Sequence, residues 1–256
     1  MAKKYYVVWQ GRETGIFTDW PTCKRHIDKF AGARYKSFPT LAEAEAAFGG
    51  NASSTVKAGA TAIARKRSSG QTVKTYTAAE VNKLAAEVKI FTDGGCEPNP
   101  GKAGSGLALY RDNQVAELWY GLYNPNGTNN TAELHALNQA MIMAEKELAK
   151  GLRVAILCDS KYSIQCVTQW AAGWKKKGWK KASGEIKNLE LIQEMFERYD
   201  ALKGKLQVLH VNGHVGVEGN ELADRMSIHA IAEKNPAFCA YPQPLDLKAI
   251  LALRAG

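Results

Sequence analysis

Between Gly49 and Thr75 the chain carries no acidic residue and almost no large apolar one, and this stretch limits what the whole sequence can fold into. It is built from Gly, Ala, Ser and Thr, with Lys57, Arg65, Lys66, Arg67 and Lys74 spaced through it. Such a segment has too little apolar surface to offset the entropy lost on ordering. It is expected to be a flexible basic linker that splits the 256 residues into a small unit and a larger one. The expected boundaries are 1–48, 49–76 and 77–235, with 236–256 as a tail to which the sequence assigns no role.

The small unit is dense in aromatics. Tyr5 to Trp9 reads as a strand, Gly11 to Gly15 as a turn and Ile16-Phe17 as a second strand. Trp20 to Phe30 reads as a helix opened by Asp19 or Thr22, with Pro21 in its first turn. Tyr35 to Phe38 is a third strand, and Thr40 caps a helix through Phe48. The result is a small α+β domain of three strands and two helices. A unit this short is marginal alone, so its core must use nearly all of those aromatics.

The larger unit alternates between strands and helices. A short helix, Ala78–Glu87, leads into the strand Val88–Thr92, and the strands Ser105–Arg111 and Gln114–Tyr123 flank the turn Asp112-Asn113. A long helix from about Thr131 to Lys150, a buried strand Arg153–Cys158 and a helix after Ser160 follow. A helix over 187–202, the strand Leu206–Val211 and a helix from Glu218 complete the series. Three antiparallel strands and then parallel ones, with helices on the faces, make a mixed five-stranded α/β sheet.

Charge and cysteines restrict the function. The formal charge of +9 favours polyanionic partners, nucleic acid above all, with an acidic membrane surface as the competitor. Cys23, Cys96, Cys158, Cys166 and Cys239 are odd in number and include no C-x-x-C pair, which argues against a disulfide framework or a cysteine zinc site. The N-terminus has no apolar signal core and no run approaches about 18 apolar residues, so a cytoplasmic protein without membrane association is expected.

Four carboxylates stand out by position. Asp93 ends an apolar strand before Gly94-Gly95, Glu133 opens the long helix, Asp159 follows the buried strand, and Asp224 lies early in the last helix. Acids at adjacent strand ends are placed as ligands commonly are in α/β sheets. Clustered, they would repel unless they shared a divalent ion, and all-oxygen ligation selects Mg²⁺ or Mn²⁺. Two ions roughly 4 Å apart would suit in-line phosphoryl displacement. Each acid also has a plainer reading. Asp159 is placed to cap a helix, Glu133 to complement a helix dipole, and Asp224 to be solvated.

Phe91-Thr-Asp-Gly-Gly95, Gly127-Thr-Asn-Asn-Thr-Ala-Glu-Leu134, Leu157-Cys-Asp-Ser160 and Gly213-His-Val-Gly-Val-Glu-Gly-Asn-Glu-Leu-Ala-Asp224 resemble, in order, the four catalytic segments of type 1 ribonuclease H. The likeness spans about residues 88–232. It implies endonucleolytic cleavage of RNA in RNA–DNA hybrids, with Asp93, Glu133, Asp159 and Asp224 holding two Mg²⁺ ions, or Mn²⁺ in their place. It also implies that His214 assists proton transfer or product release, which suits a side chain that titrates near neutral pH. His210, ending an apolar strand, reads as structural.

By the same resemblance Thr128, Asn129 and Asn130 would meet RNA 2′-hydroxyls, and Thr128 with Asn188 would hold a DNA phosphate. The family's arginine in that pocket is replaced here by Asn126. Trp170, Trp174, Lys175 and Lys176 begin a basic aromatic stretch suited to phosphates and stacking, against the plainer reading of core indoles and a solvated charge run. It resembles the family's basic protrusion.

Tyr5-Tyr-Val-Val-Trp-Gln-Gly-Arg-Glu-Thr-Gly-Ile-Phe17, Trp20 and Ala33-Arg-Tyr-Lys-Ser-Phe38 resemble the hybrid-binding domain that precedes many such enzymes. The match implies that Tyr6 and Trp20 meet DNA while Tyr35 and Lys36 approach RNA. The expected partner is an RNA–DNA hybrid, with weaker binding of double-stranded RNA, and the expected state is a monomer. Two other readings stay open: a non-catalytic hybrid or double-stranded RNA binder on the same scaffold, and a DNA-directed nuclease or integrase. A tethered binding module raises the local substrate concentration. Deleting residues 1–48 should therefore reduce processivity on long hybrids and spare the rate on short ones; equal processivity of the two forms refutes the tether.

Overall fold

The computed structural model describes residues 4–28, 30, 33–49, 73–181, 184–213 and 216–256. The chain divides into two units, Met1–Arg67 and Ser68–Gly256, and most of the expected linker, 50–72, lies outside the described residues.

In the first unit the elements run β1 (Tyr5–Gln10), β2 (Gly15–Phe17), α1 (Trp20–Ile27), β3 (Arg34–Phe38) and α2 (Leu41–Gly49). β1 is central and antiparallel to both neighbours. Val8, Cys23 and Ile27 form the core, with Tyr6 and Phe17 packed against them. Asp19 caps α1 by accepting the Thr22 N–H at 2.9 Å, and Pro21 sits in the first turn where its missing N–H costs nothing. The helix stops at Ile27 instead of reaching Phe30. Asp28 turns to extended backbone, and the Arg12 guanidinium donates to the carbonyls of Arg25 and Asp28 at 2.8 and 2.7 Å.

The second unit contains β4 (Thr75–Tyr76), α3 (Ala78–Asn82), β5 (Val88–Glu97), β6 (Gly101–Arg111), β7 (Gln114–Gly127), α4 (Asn129–Ala149) and β8 (Val154–Cys158). It continues through α5 (Lys161–Gln165), a π turn (Cys166–Trp170), α6 (Ala171–Lys176), α7 (Leu189–Leu202) and β9 (Leu206–Val211). It ends with α8 (Glu218–Glu233), β10 (Cys239–Ala240) and α9 (Leu247–Leu251). The sheet order is β10-β7-β6-β5-β8-β9-β4. Its middle five strands form the expected mixed sheet, antiparallel from β5 to β7 and parallel from β5 to β9. The two dipeptide strands are additional, being too short to carry a readable period. They pair along the outer strands, β4 with β9 and β10 with β7, where an open edge would expose backbone groups.

Alternation along the strands sorts side chains to two faces. Ile90, Leu107, Leu109, Val154 and Ile156 join α4 and α7 in one core. Phe91, Ala108, Tyr110, Ala155 and Leu157 join α8 in the other. The residues after Asn235 join both layers: Ile250 is buried in the second with Tyr241, Leu245 and Leu251 packed against that core, while Phe238 packs against the first. No described helix is long and apolar enough to cross a membrane.

Three boundaries differ from expectation, and two of them move the acids. β5 runs through Asp93 to Glu97, paired with β6 throughout, so Asp93 lies inside a strand and not at its end. α4 starts at Asn129 because Thr128 caps it, its Oγ1 accepting the Thr131 N–H at 3.2 Å, and Glu133 therefore falls in the second turn. α3 ends at Asn82, since the Glu87 main chain is already bonded to Arg153 and Asp112.

Both acid-bearing helices lie against the sheet at glycines. A Cβ on Gly94 would stand 2.2 Å from the Glu133 nitrogen, and one on Gly106 would stand 2.1 Å from the Ala223 carbonyl oxygen. Neither helix backbone can yield without leaving the core. Gly106→Ala should cost about 3 kcal/mol, lowering Tm by roughly 6–12 °C for a unit of this size. An unchanged melt would show that α8 is not held at that distance.

Candidate active site

Asp93 and Asp159 are brought together by strand register. β5 and β8 are parallel neighbours with Thr92 opposite Cys158, so the two aspartates are the next residues on adjacent chains. Glu133 comes from α4, pressed onto Gly94, and Asp224 from α8, pressed onto Gly106 through Ala223. All four line one cavity of about 420 Å³, shared with Asn129, Ser160, Arg254 and Gly256. Asp93, Glu133 and Asp224 are only 7, 5 and 2 % exposed.

Burial of like charges raises the cost of ionisation. Burial first, and then the charges of Asp159 and Asp224, push the Asp93 carboxyl up to about 7. Glu133 is raised well above the carboxylate range by burial and then by Asp93 and Asp159. One oxygen of Glu133, Oε2, is buried without a hydrogen-bond partner. A buried acceptor left bare is costly. A bare carboxylate oxygen among three other acids fits a hard divalent cation, whose ligands are oxygens.

The closest grouping of potential ligand atoms among the described residues joins Glu133, Asp159 and, unforeseen from the sequence, Cys158, all within 4.8 Å of one another. Cys158 is fully buried, and burial followed by the charges of Glu133 and Asp159 drives its thiol well above the usual range. A thiol is a soft donor in an otherwise all-oxygen set, which a hard divalent cation does not favour. Asp93 and Asp224 stand outside this tightest group. Asp224 is engaged instead by the Arg225 guanidinium and by the Gly256 N–H, at 3.1 and 3.2 Å from its two oxygens.

Several supporting residues had no sequence signal. The Asn220 amide donates to Asp159 Oδ2 at 3.2 Å, and the Ser227 hydroxyl lies 2.9 Å from Asp93 Oδ2. Ser160, not Asp159, caps α5. His210 is buried with Nε2 3.0 Å from the Asp159 carbonyl and Nδ1 2.8 Å from the Thr75 hydroxyl. A carbonyl only accepts, so Nε2 carries the proton and Nδ1 accepts from Thr75. His214 lies outside the described residues; its predecessor Gly213 sits so close to Asp159 that a Cβ there would be 2.5 Å from Oδ2.

The expected RNA and DNA contacts are distributed around this cavity. Thr128 caps α4, Asn129 lines the cavity and Asn130 is exposed on the first turn. Thr128 and Asn188 are linked through Thr131, whose hydroxyl is 2.8 Å from Thr128 Oγ1 and donates to Asn188 Oδ1 at 3.0 Å. Asn188 is held in the left-handed region with φ 57°.

The basic aromatic stretch divides by role. Trp174 and Trp179 pack against the core, whereas Trp170 is 37 % exposed with its ring 5.8 Å from Trp174. Lys175 lies over the Phe196 ring and Lys176 is exposed. In the N-terminal unit Trp20 stands between Tyr6 and Tyr35, at 5.5 and 5.9 Å, whereas exposed Lys36, opposite Val7, lies over the Phe38 ring. Tyr6 also packs on the small core, so it has a structural duty there.

A mixed sheet of this order with helices on both faces is the ribonuclease H-like fold. The sequence profile described as RNase H matches residues 85–232, and the Ribonuclease H1 N-terminal domain matches residues 4–48. Mouse Ribonuclease H1 is 31 % identical over 87 % of this chain and 87 % of its own length. Ribonuclease H of Thermosynechococcus vestitus is 39 % identical over 61 % of this chain and 96 % of its own. A crystal structure of a type 1 RNase H with the type 2 active-site motif superposes with TM-score 0.51 at 23 % identity, covering 66 % of this chain and 82 % of that one. The chain belongs to the ribonuclease H family, whose members depend on divalent metal.

The raised carboxyls carry a stability signature. An acid whose folded pKa lies above its unfolded value loses stability as pH climbs between the two. The metal-free protein should thus melt lower as pH rises from about 4 to about 7. Asp93→Asn should flatten that fall and melt above the wild type at neutral pH. A variant that melts below the wild type there would contradict the crowding.

Proposed function

We propose that this chain hydrolyses the RNA strand of RNA–DNA hybrids, with Asp93, Glu133, Asp159 and Asp224 holding two Mg²⁺ ions, for which Mn²⁺ can substitute. The observation that carries the reading is the convergence of four acids from β5, α4, the end of β8 and α8 on one cavity, with Glu133 Oε2 buried and unpartnered. The ions, when bound, supply charge neutralisation at the phosphate and acidify a water for attack.

The chain's own groups bind and orient the duplex. Asn129 at the cavity and exposed Asn130 offer amides that both donate to and accept from a 2′-hydroxyl, which is the group that separates RNA from DNA. The linked side chains of Thr128, Thr131 and Asn188 offer a polar seat for a DNA phosphate. Exposed Trp170 and Lys176 extend the grip along that strand, while Trp174 sets the position of Trp170 from the core. The Tyr6, Trp20 and Tyr35 rings form a separate face for the hybrid, and exposed Lys36 offers a charge to the RNA strand. His214 serves as the titratable group that moves a proton or helps product leave.

The test uses uniformly labelled RNA–DNA, RNA–RNA and DNA–DNA duplexes with and without Mg²⁺. Only the RNA strand of the hybrid should be cut, only with metal, leaving 5′-phosphates. Asp93→Asn should abolish cleavage and retain hybrid binding; turnover by that variant in Mg²⁺ refutes the assignment. Hybrid binding by the wild type without any cleavage would return the chain to the non-catalytic reading.

A further inference from the structure

Ser227 lies on α8 one turn beyond Asp224, at a helix position where a serine ordinarily bonds back to the carbonyl three or four residues earlier. Its hydroxyl does reach the Asp224 carbonyl at 2.9 Å, but it also stands 2.9 Å from Asp93 Oδ2 on the facing strand. A hydroxyl has a single proton to give. Between a neutral carbonyl and a carboxylate, the charged acceptor forms the stronger bond. Ser227 is fully buried, and the glycines of β5 and β6 let α8 come close enough for so short a side chain to span the gap. A Cβ on Gly95 would already be 3.0 Å from the Ser227 Oγ.

We propose that Ser227 is a positioning residue for Asp93, its hydroxyl holding Oδ2 from the helix side and so fixing the carboxylate's rotation for metal binding. The proposal rests on the reading of Asp93 as a metal ligand. A carboxylate that turns freely about its Cβ–Cγ bond must lose that freedom when it coordinates, whereas one already tethered has less to lose. Hydrogen bonds to ligating carboxylates typically contribute about tenfold or more in metal affinity.

The experiment titrates Mn²⁺ into the full-length protein by calorimetry without nucleic acid, and measures cleavage against metal concentration. Ser227→Ala removes the donor. Ser227→Cys keeps the space filled but donates weakly. Both should bind Mn²⁺ about tenfold more weakly and need correspondingly more metal for half-maximal cleavage, with an unchanged KM for hybrid at saturating metal. Wild-type affinity in Ser227→Ala overturns the proposal. So does wild-type affinity in Ser227→Cys alone, which would mean that packing and not the hydrogen bond matters. Failure of the wild type to bind Mn²⁺ would sink the metal-site reading itself, a separate result.

Discussion

Four acids gathered in a largely buried cavity repel one another, and the second unit is built to hold them there regardless. No single interaction pays that cost. The parallel register of β5 and β8 sets Asp93 beside Asp159, and two helices lie against glycines so closely that their backbones cannot retreat. The core behind them is continuous on both faces of the sheet, with apolar side chains alternating between α4 and α8. The cluster is therefore tolerated because moving any acid away would open the core. It stays poised because burial and mutual charge hold Asp93 and Glu133 above their ordinary range.

The polar groups around the cluster are unequal, and the inequality is informative. Asp93 is held by Ser227, Asp159 by Asn220 and by the bond from His210 to its carbonyl, and Asp224 by Arg225 and Gly256. Glu133 Oε2 has no such partner. Donors preorganise three of the acids, and the bare oxygen is where a cation has most to offer.

The aromatics proposed for nucleic-acid recognition also serve packing. Trp174 and Tyr6 each have one side in a core, and their neighbours Trp170 and Trp20 are the exposed members of each pair. A small domain cannot spare aromatics for binding alone, and exposed rings braced by half-buried ones would satisfy both demands.

The order of strands and helices was legible in the chain because hydrophobic period is a local property, and motif spacing singled out Asp93, Glu133, Asp159 and Asp224, which the structure brings to one cavity. The limits of the elements were less so: Arg12 ended α1 and the main-chain partners of Glu87 ended α3 from many residues away. Ser227, Asn220, Cys158 and the residues after Asn235 gave no sign of a role. Each matters only through neighbours remote in sequence, such as Ser227 to Asp93 or Gly256 to Asp224. The one-dimensional pattern thus determined which groups can carry chemistry. Tertiary packing alone decided how near they stand, which oxygen each donor takes and which one is left bare, because those are distances between segments that no local rule connects.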